Sequence, residues 1–150
     1  SKDEAKITLT KLNDNPGIAA LVFGSLADGG INVDMIVQNI SSDGKFTDLT
    51  FTVPASDIKR ATVMLESLKN SIQYDKLLGS KDIVKVSVIG VGMRSHSGVA
   101  ALMFKTLAEK GINILAIATS EIKVSVLIDV QHLEIAVKSL HTAYNLDKNS

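Results

Sequence analysis

The 150-residue chain sets sixteen Lys and Arg against sixteen Asp and Glu, a formal net charge of zero, and is 45% hydrophobic; it is long enough to bury roughly two thirds of its unfolded surface in one domain or two small ones, and has no net basic field for nucleic acid. The absence of cysteine excludes a disulfide framework, a thiolate zinc site and a cysteine nucleophile, and fits a reducing compartment such as the cytoplasm. The longest apolar stretch, residues 18–27, contains Gly24 and Ser25 and falls far short of the roughly 20 residues of a membrane span; no targeting peptide is visible, and the opening SKDEAK lacks an initiator Met, as a trimmed chain would.

KITLTKL (6–12) alternates Ile7 and Leu9 with Lys6, Thr8 and Thr10, the period of a half-buried strand. After the loop NDNPG, Asn15 and Pro16 predict a helix start. The helix runs to about residue 28, with an apolar stripe of Ile18, Leu21, Val22 and Leu26 and a left-handed stop at Gly29-Gly30. INVDMIVQNI (31–40) reads as a strand with Ile31, Val33, Met35 and Val37 on one face and Asn32, Asp34 and Gln38 on the other. SSDGK turns into the strand TDLTFTV (47–53), with Leu49, Phe51 and Val53 inward. Residues 54–70 predict a helix through Ile58, Ala61, Leu65 and Leu68, and a weak strand at about 73–78 closes a first unit spanning 6–79. A second unit, 82–147, repeats the order: strand 83–91, loop GMRSHSG, helix 99–109, strand 112–119, strand 122–129 and a helix from about 132 to 144.

The repetition is also literal. Gly17 set against Gly98 gives an offset of 98 − 17 = 81, at which GIAALVFGSLADGGINV (17–33) lies over GVAALMFKTLAEKGINI (98–114) with 10 of 17 positions identical and 5 conservative. So high a match marks an internal duplication. Each unit reads as a split βαβ arrangement, βαββαβ, which places two helices on one face of a four-stranded antiparallel sheet and leaves the other face open, marked by Thr8, Thr10, Thr50, Thr52, Ser87 and Ser125. The expected class is therefore α+β, two ferredoxin-like units in tandem. Too few residues follow the last helix to supply the second sheet's fourth strand. An upstream segment or a partner chain is expected at that edge.

Catalytic and metal-binding motifs are lacking. GVG at 90–92 has Ser95 where a dinucleotide fingerprint needs Gly, and GSK at 79–81 lacks the first Gly and the hydroxyl of a phosphate-binding loop. His96, His132 and His141 are too few and too far apart for a metal site, and Ser95 beside His96 is not a nucleophile with its base. The loop before each first helix is the better candidate, because a helix N-terminus offers unpaired N–H groups to a carboxylate or phosphate. Gly17 and Gly98 allow close approach there, Ala19 and Ala100 leave room on the first turn, and Asn32 and Asn113 open the adjacent strand. The duplication alone fits equally a packing role for the glycines and alanines and a turn role for the asparagines.

NPGIAALVF, INVDMIVQNIS with TDLTFTV, and above all KVSVIGVGMRSHSGVAALMFKTLAEKGINI with ATSEIKVSVLID resemble the paired ACT domains that form the regulatory part of aspartate kinase, over roughly residues 4–147. The chain departs from that pattern at Ser97, where the family usually has Pro, and at Leu115, Ala116 and Ala118. The resemblance implies a module that binds an end-product amino acid, threonine or lysine or both, and inhibits a kinase acting on aspartate with ATP and Mg. It implies no catalytic residue, metal or cofactor in this chain, which would be a carboxy-terminal piece or a separate regulatory subunit. It also implies pairing with a catalytic domain or subunit, homodimerisation through the ACT sheets, and a strand from upstream on the second sheet. Carried onto this sequence, the effector contacts are Asp14, Gly17, Ile18, Ala19 and Gln38 in the first unit and Ala100, Asn113, Ile114 and Thr119 in the second. Two other readings stand beside it: an acylphosphatase-like enzyme using Arg94 and Asn113 to hold a phosphate, and a ligand-free dimerisation module.

Overall fold

A computed structural model of the chain describes residues 3–90 and 96–149, with side chains given for 3–90 and 97–145. They form two compact units, one from Asp3 to Lys81 and one from Asp82 onward. In the first, β1 (Glu4–Asn13), α1 (Ile18–Asp28), β2 (Ile36–Ile40), β3 (Phe46–Pro54), α2 (Ile58–Ser67), α3 (Lys69–Ile72) and β4 (Leu77–Ser80) build an antiparallel sheet of order β2-β3-β1-β4. The second holds β5 (Ile83–Ile89), α4 (His96–Glu109), β6 (Ala116–Thr119), β7 (Lys123–Asp129) and α5 (Leu133–Asn149), with sheet order β5-β7-β6. The arrangement is the expected α+β pair of ferredoxin-like repeats, and the second sheet is one strand short among the described residues.

Alternation explains the first core. Ala5, Ile7 and Leu9 of β1 face Val53, Phe51 and Leu49 of β3, and all six are buried beneath Val22 and Leu26 of α1 and Ala61 and Leu65 of α2. Leu12 is buried as well, three residues after Leu9, an odd spacing that strict alternation would put on the opposite face. A β-bulge between Leu9 and Leu12 restores it. Lys11 takes the left-handed conformation there (φ 52°), and its N–H donates to the Asp48 carboxylate at 3.0 Å. Leu21, expected in the apolar stripe, is instead 39% exposed, and Val22 and Leu26 are the residues α1 buries.

The predicted strand 31–40 is only half a strand. Ile31 and Met35 are buried, yet the ladder to β3 starts at Ile36. Over 31–35 the chain hangs on one threonine: the Met35 N–H donates to Thr52 Oγ1 at 3.0 Å, the Thr52 N–H to the Met35 carbonyl at 3.0 Å, and the Asp34 N–H to the Thr52 carbonyl at 3.1 Å. Thr52 is consequently buried, as is Ser125, whose hydroxyl lies 2.6 Å from that of Ser87. Neither marks an open face as expected, whereas Thr8 and Thr50, half-buried, pair hydroxyls at 2.9 Å.

The second unit keeps the pattern with a shorter hairpin. Ile36 pairs with Phe51 and Ile117 with Val126, so the offset of 117 − 36 = 81 falls to 126 − 51 = 75 across the turn. Ala61 and Leu65 then correspond to Ala136 and Leu140, buried likewise. The repeats part company after that. The first unit's helix breaks at Leu68, and Gln73 in the left-handed conformation (φ 52°, ψ 43°) turns the chain back into β4. Helix α5 instead runs unbroken to Asn149, which leaves the outer edge of β5 without a partner among the described residues.

Two stability outcomes follow from this packing. Leu26→Ala should cost about 2 to 5 kcal/mol as a cavity in the core, while Leu21→Ala should cost well under half as much; urea unfolding of both variants checks the contrast. Thr52→Val keeps the volume but orphans the buried Met35 N–H, and the same measurement should show a loss of about 1 to 3 kcal/mol.

Candidate functional site

The loop between β1 and α1 is held from below. The Asp14 N–H donates to the Lys45 carbonyl at 3.0 Å, tying the loop to the β2–β3 hairpin, and the Asn15 N–H donates to the Asn13 carbonyl at 2.9 Å. The hairpin turn is fastened by Asp43, whose carboxyl is held below its ordinary range first by the Lys45 N–H and then by the Ser41 hydroxyl. Helix α1 begins at Ile18, later than Asn15 and Pro16 led one to expect, and no side chain caps it. Gly17 is the N-cap, in the left-handed region at φ 93° and ψ −16°, and no atom lies within 4 Å of where its Cβ would be. The Leu21 N–H reaches back to the Gly17 carbonyl at 2.9 Å, but the N–H groups of Ala19 and Ala20 have no acceptor in the described chain. Such orphan donors at a helix start carry the positive end of its dipole.

The other first-unit candidates fall on the same side of the sheet. Gln38 pairs with Leu49, which pairs with Leu9, so all three share the face that carries the helices. Gln38 is exposed because β2 is the edge strand, and Val37 takes the opposite face, as expected. Asp14, Gly17 and Ala19 are exposed, and the Asp14 carboxylate has no partner among the described residues. Ile18 is half-buried and packs on the first core, so its side chain serves the fold. Ile36 and Ile40 flank Gln38 on its face and are also exposed. Alternation counted from Ile31 already puts positions 36 and 40 on the face of Gln38, but it took that face as the polar one.

In the second unit, Thr119 pairs with Val124 and occupies the place of Gln38, while Ala100 and Ile114 pack on the second core and Asn113 is exposed. Gly98 corresponds to Gly17 in sequence but not in conformation: it lies inside the first turn of α4, which starts at His96. Arg94, Ser95 and most of the loop GMRSHSG lie outside the described residues. A groove of about 1030 Å³ lies elsewhere in this unit, between β5 and α5, with Val86, Leu133 and Val137 as apolar lining and Lys85, Glu134 and Lys138 among its other lining residues. In the first unit β4 covers the matching edge of β1. Among the described residues no group of three His, Asp or Glu could hold a metal ion, and no helix is long and apolar enough to cross a membrane.

The conformation at Gly17 is testable by itself. Gly17→Ala meets no clash but forces an L side chain into the left-handed region, so thermal or urea unfolding should show a loss of about 1 to 2 kcal/mol.

Comparison with known proteins places these features. An ACT-domain family profile matches residues 10–67 and 86–144. The aspartokinase of Helicobacter pylori is 50% identical over 150 residues, covering 98% of this chain and 36% of that protein. An aspartate kinase of Pseudomonas putida is 48% identical over 147 residues, with 98% and 36% covered. The chain thus spans about a third of the length of these relatives. Among solved structures, a chain of aspartokinase alpha and beta subunits superposes with a TM-score of 0.89 at 48% identity, covering 97% of this chain and 95% of that one. The ligand-free regulatory subunit of aspartate kinase from Thermus thermophilus gives 0.88 at 40% identity, covering 96% and 94%.

Proposed function

The chain belongs to the ACT-domain family and is similar to the regulatory part of aspartate kinases, and on that premise we propose that it is a cytoplasmic feedback sensor that binds threonine or lysine, or both, and thereby restrains an aspartate kinase. One observation carries the proposal: an exposed, unpartnered Asp14 stands on the same loop as the orphan N–H groups of Ala19 and Ala20, with the exposed Gln38 on the helix-bearing face of the adjacent edge strand. A free amino acid is complementary to that set. Its carboxylate suits the helix start, its ammonium suits Asp14, and its side chain is left for Gln38. Gly17 lets the ligand approach the backbone, and Ile18 anchors the turn to the core. Each charge-assisted bond contributes about 1.5 to 3 kcal/mol, so a few suffice for a dissociation constant from roughly micromolar to millimolar.

Phosphoryl transfer belongs, in this reading, to a catalytic domain or subunit that uses ATP and Mg; the present residues supply only the effector site. We place that site at the junction of a homodimer formed through the ACT sheets. The exposed Ile36 and Ile40 on edge strand β2 support the pairing, and a two-fold interface would generate the site twice. An effector that bridges two chains binds the assembled state better, and assembly must raise effector affinity by the same factor. Inhibition then follows if the kinase is less active in that state.

Addition of the effector at one hundred times its dissociation constant should stabilise the fold by about 2.7 kcal/mol, read as a rise in melting temperature. Sedimentation at micromolar concentration should show a dimer that the effector strengthens. An unchanged melting temperature with both amino acids contradicts the sensor, and a monomer under all conditions contradicts the shared site.

A further inference from the structure

Resting on the effector loop proposed above, we propose that Asp43 is a positioning residue for it: from the β2–β3 turn, its carboxylate fixes the peptide group that holds Asp14 where the ligand ammonium can meet it. Among the described residues, the Asp14 N–H bond to the Lys45 carbonyl at 3.0 Å is the one backbone bond by which residues 14–17 reach another part of the fold, since the Asn15 N–H closes on Asn13. The peptide group that carries the Lys45 carbonyl also carries the Phe46 N–H, which points the opposite way across a trans bond. That N–H donates to Ser41 Oγ at 3.1 Å. The Ser41 hydroxyl in turn donates to Asp43 Oδ1 at 2.7 Å, and the Lys45 N–H donates to the same oxygen at 3.0 Å. One carboxylate thus fixes the peptide groups on both sides of Lys45.

The sheet itself does not need this staple. The offset between the repeats falls from 81 to 75 across the turn, so the first hairpin is longer by 81 − 75 = 6 residues, and the second closes tightly with the Ser120 N–H on the Lys123 carbonyl at 2.9 Å. In the longer turn Ser42, Asp43, Gly44 and Lys45 are exposed and belong to no hydrophobic core. Their contribution is an oriented carbonyl beside the effector loop. The Asp43 carboxyl is held below its ordinary range, first by the Lys45 N–H and then by the Ser41 hydroxyl, so near neutral pH it is ionised and both bonds are charge-assisted. The Asp14 carboxylate has no partner among the described residues, which leaves its backbone tether to decide where the charge stands. With the tether loosened, Asp14 is in place for only a fraction of the time, and affinity falls by that fraction.

The experiment compares the parent chain with Asp43→Ala, which removes the acceptor, and Asp43→Asn, which keeps an oxygen in its place. Each is titrated calorimetrically with L-threonine and, separately, L-lysine, and the ligand-free exchange rate of the Asp14 amide hydrogen is followed by NMR alongside ligand-free melting. Asp43→Ala should bind about tenfold more weakly and exchange the Asp14 amide hydrogen at least about tenfold faster, with melting nearly unchanged because the turn is exposed. Asp43→Asn should recover most of both losses. Parental affinity in Asp43→Ala, or weaker binding without faster exchange at Asp14, would overturn the positioning role and leave the sensor standing. So would an Asp43→Asn chain that exchanges like the parent but binds as weakly as Asp43→Ala, since the charge would then act on the ligand directly. No binding of either amino acid by the parent at millimolar concentration would overturn the sensor and the positioning role together.

Discussion

The constraint on which the rest depends is the central antiparallel pair in each sheet, β1 with β3 and β5 with β7, one face of which must be sealed by helices. Side chains on these pairs alternate between faces, so a register once set decides every later choice: which residues are core, where the chain leaves the sheet, and on which side the following helix lies. In the first unit that register runs from Glu4 opposite Pro54 to Asn13 opposite Phe46. It delivers the loop after β1 to the end of the sheet where the β2–β3 hairpin turns, and the Asp14 N–H bond to the Lys45 carbonyl records the meeting. The candidate site is a consequence of the register rather than an addition to it.

Local departures from regularity are concentrated beside that site. The bulge at Lys11 allows Leu9 and Leu12 to be buried together, and the Thr52 hydroxyl takes the Met35 N–H so that β2 can start late with Gln38 on the helix-bearing face. Each irregularity has a local hydrogen-bond partner, Asp48 for Lys11 and Thr52 for Met35, as buried or strained backbone requires. In the second repeat the central pair runs unbroken from Ile83 opposite Asp129 to Ile89 opposite Lys123, and the positions that match the bulge lie outside the described residues. The two copies differ at the first helix, since residues 96–98 are helical and the matching 15–17 are not. Duplicated residues are therefore weak evidence of duplicated chemistry until the backbone at each copy is known.

Much of the fold was legible in the chain itself. Alternation in KITLTKL and TDLTFTV, the helical spacing of Val22 with Leu26 and of Ala61 with Leu65, and the offset of 81 predicted two βαββαβ-like repeats, because core burial imposes periods of 2 and 3.6 on any chain that forms strands and helices. That the second sheet has one strand fewer among the described residues was legible by counting, and the family resemblance by motif. Asp14 and Gln38 could be named as candidates, since exposed polar residues interrupting an apolar pattern stand out against it.

What only the tertiary structure decided is how those residues are presented. Sequence put Leu21 in the core, Thr52 on an open face, a strand across 31–35 and the same role on Gly17 and Gly98; the structure exposes the first, buries the second, leaves the third outside the ladder and gives the glycines different conformations. For Thr52, for residues 31–35 and for the first turn of α4 the physical reason is the same. Periodicity reports the average environment of a segment, whereas a single hydrogen bond or backbone angle is selected by groups far away in the chain: Thr52 for residues 34 and 35, and Tyr144 for the first turn of α4. No local pattern encodes such partners before the chain has folded.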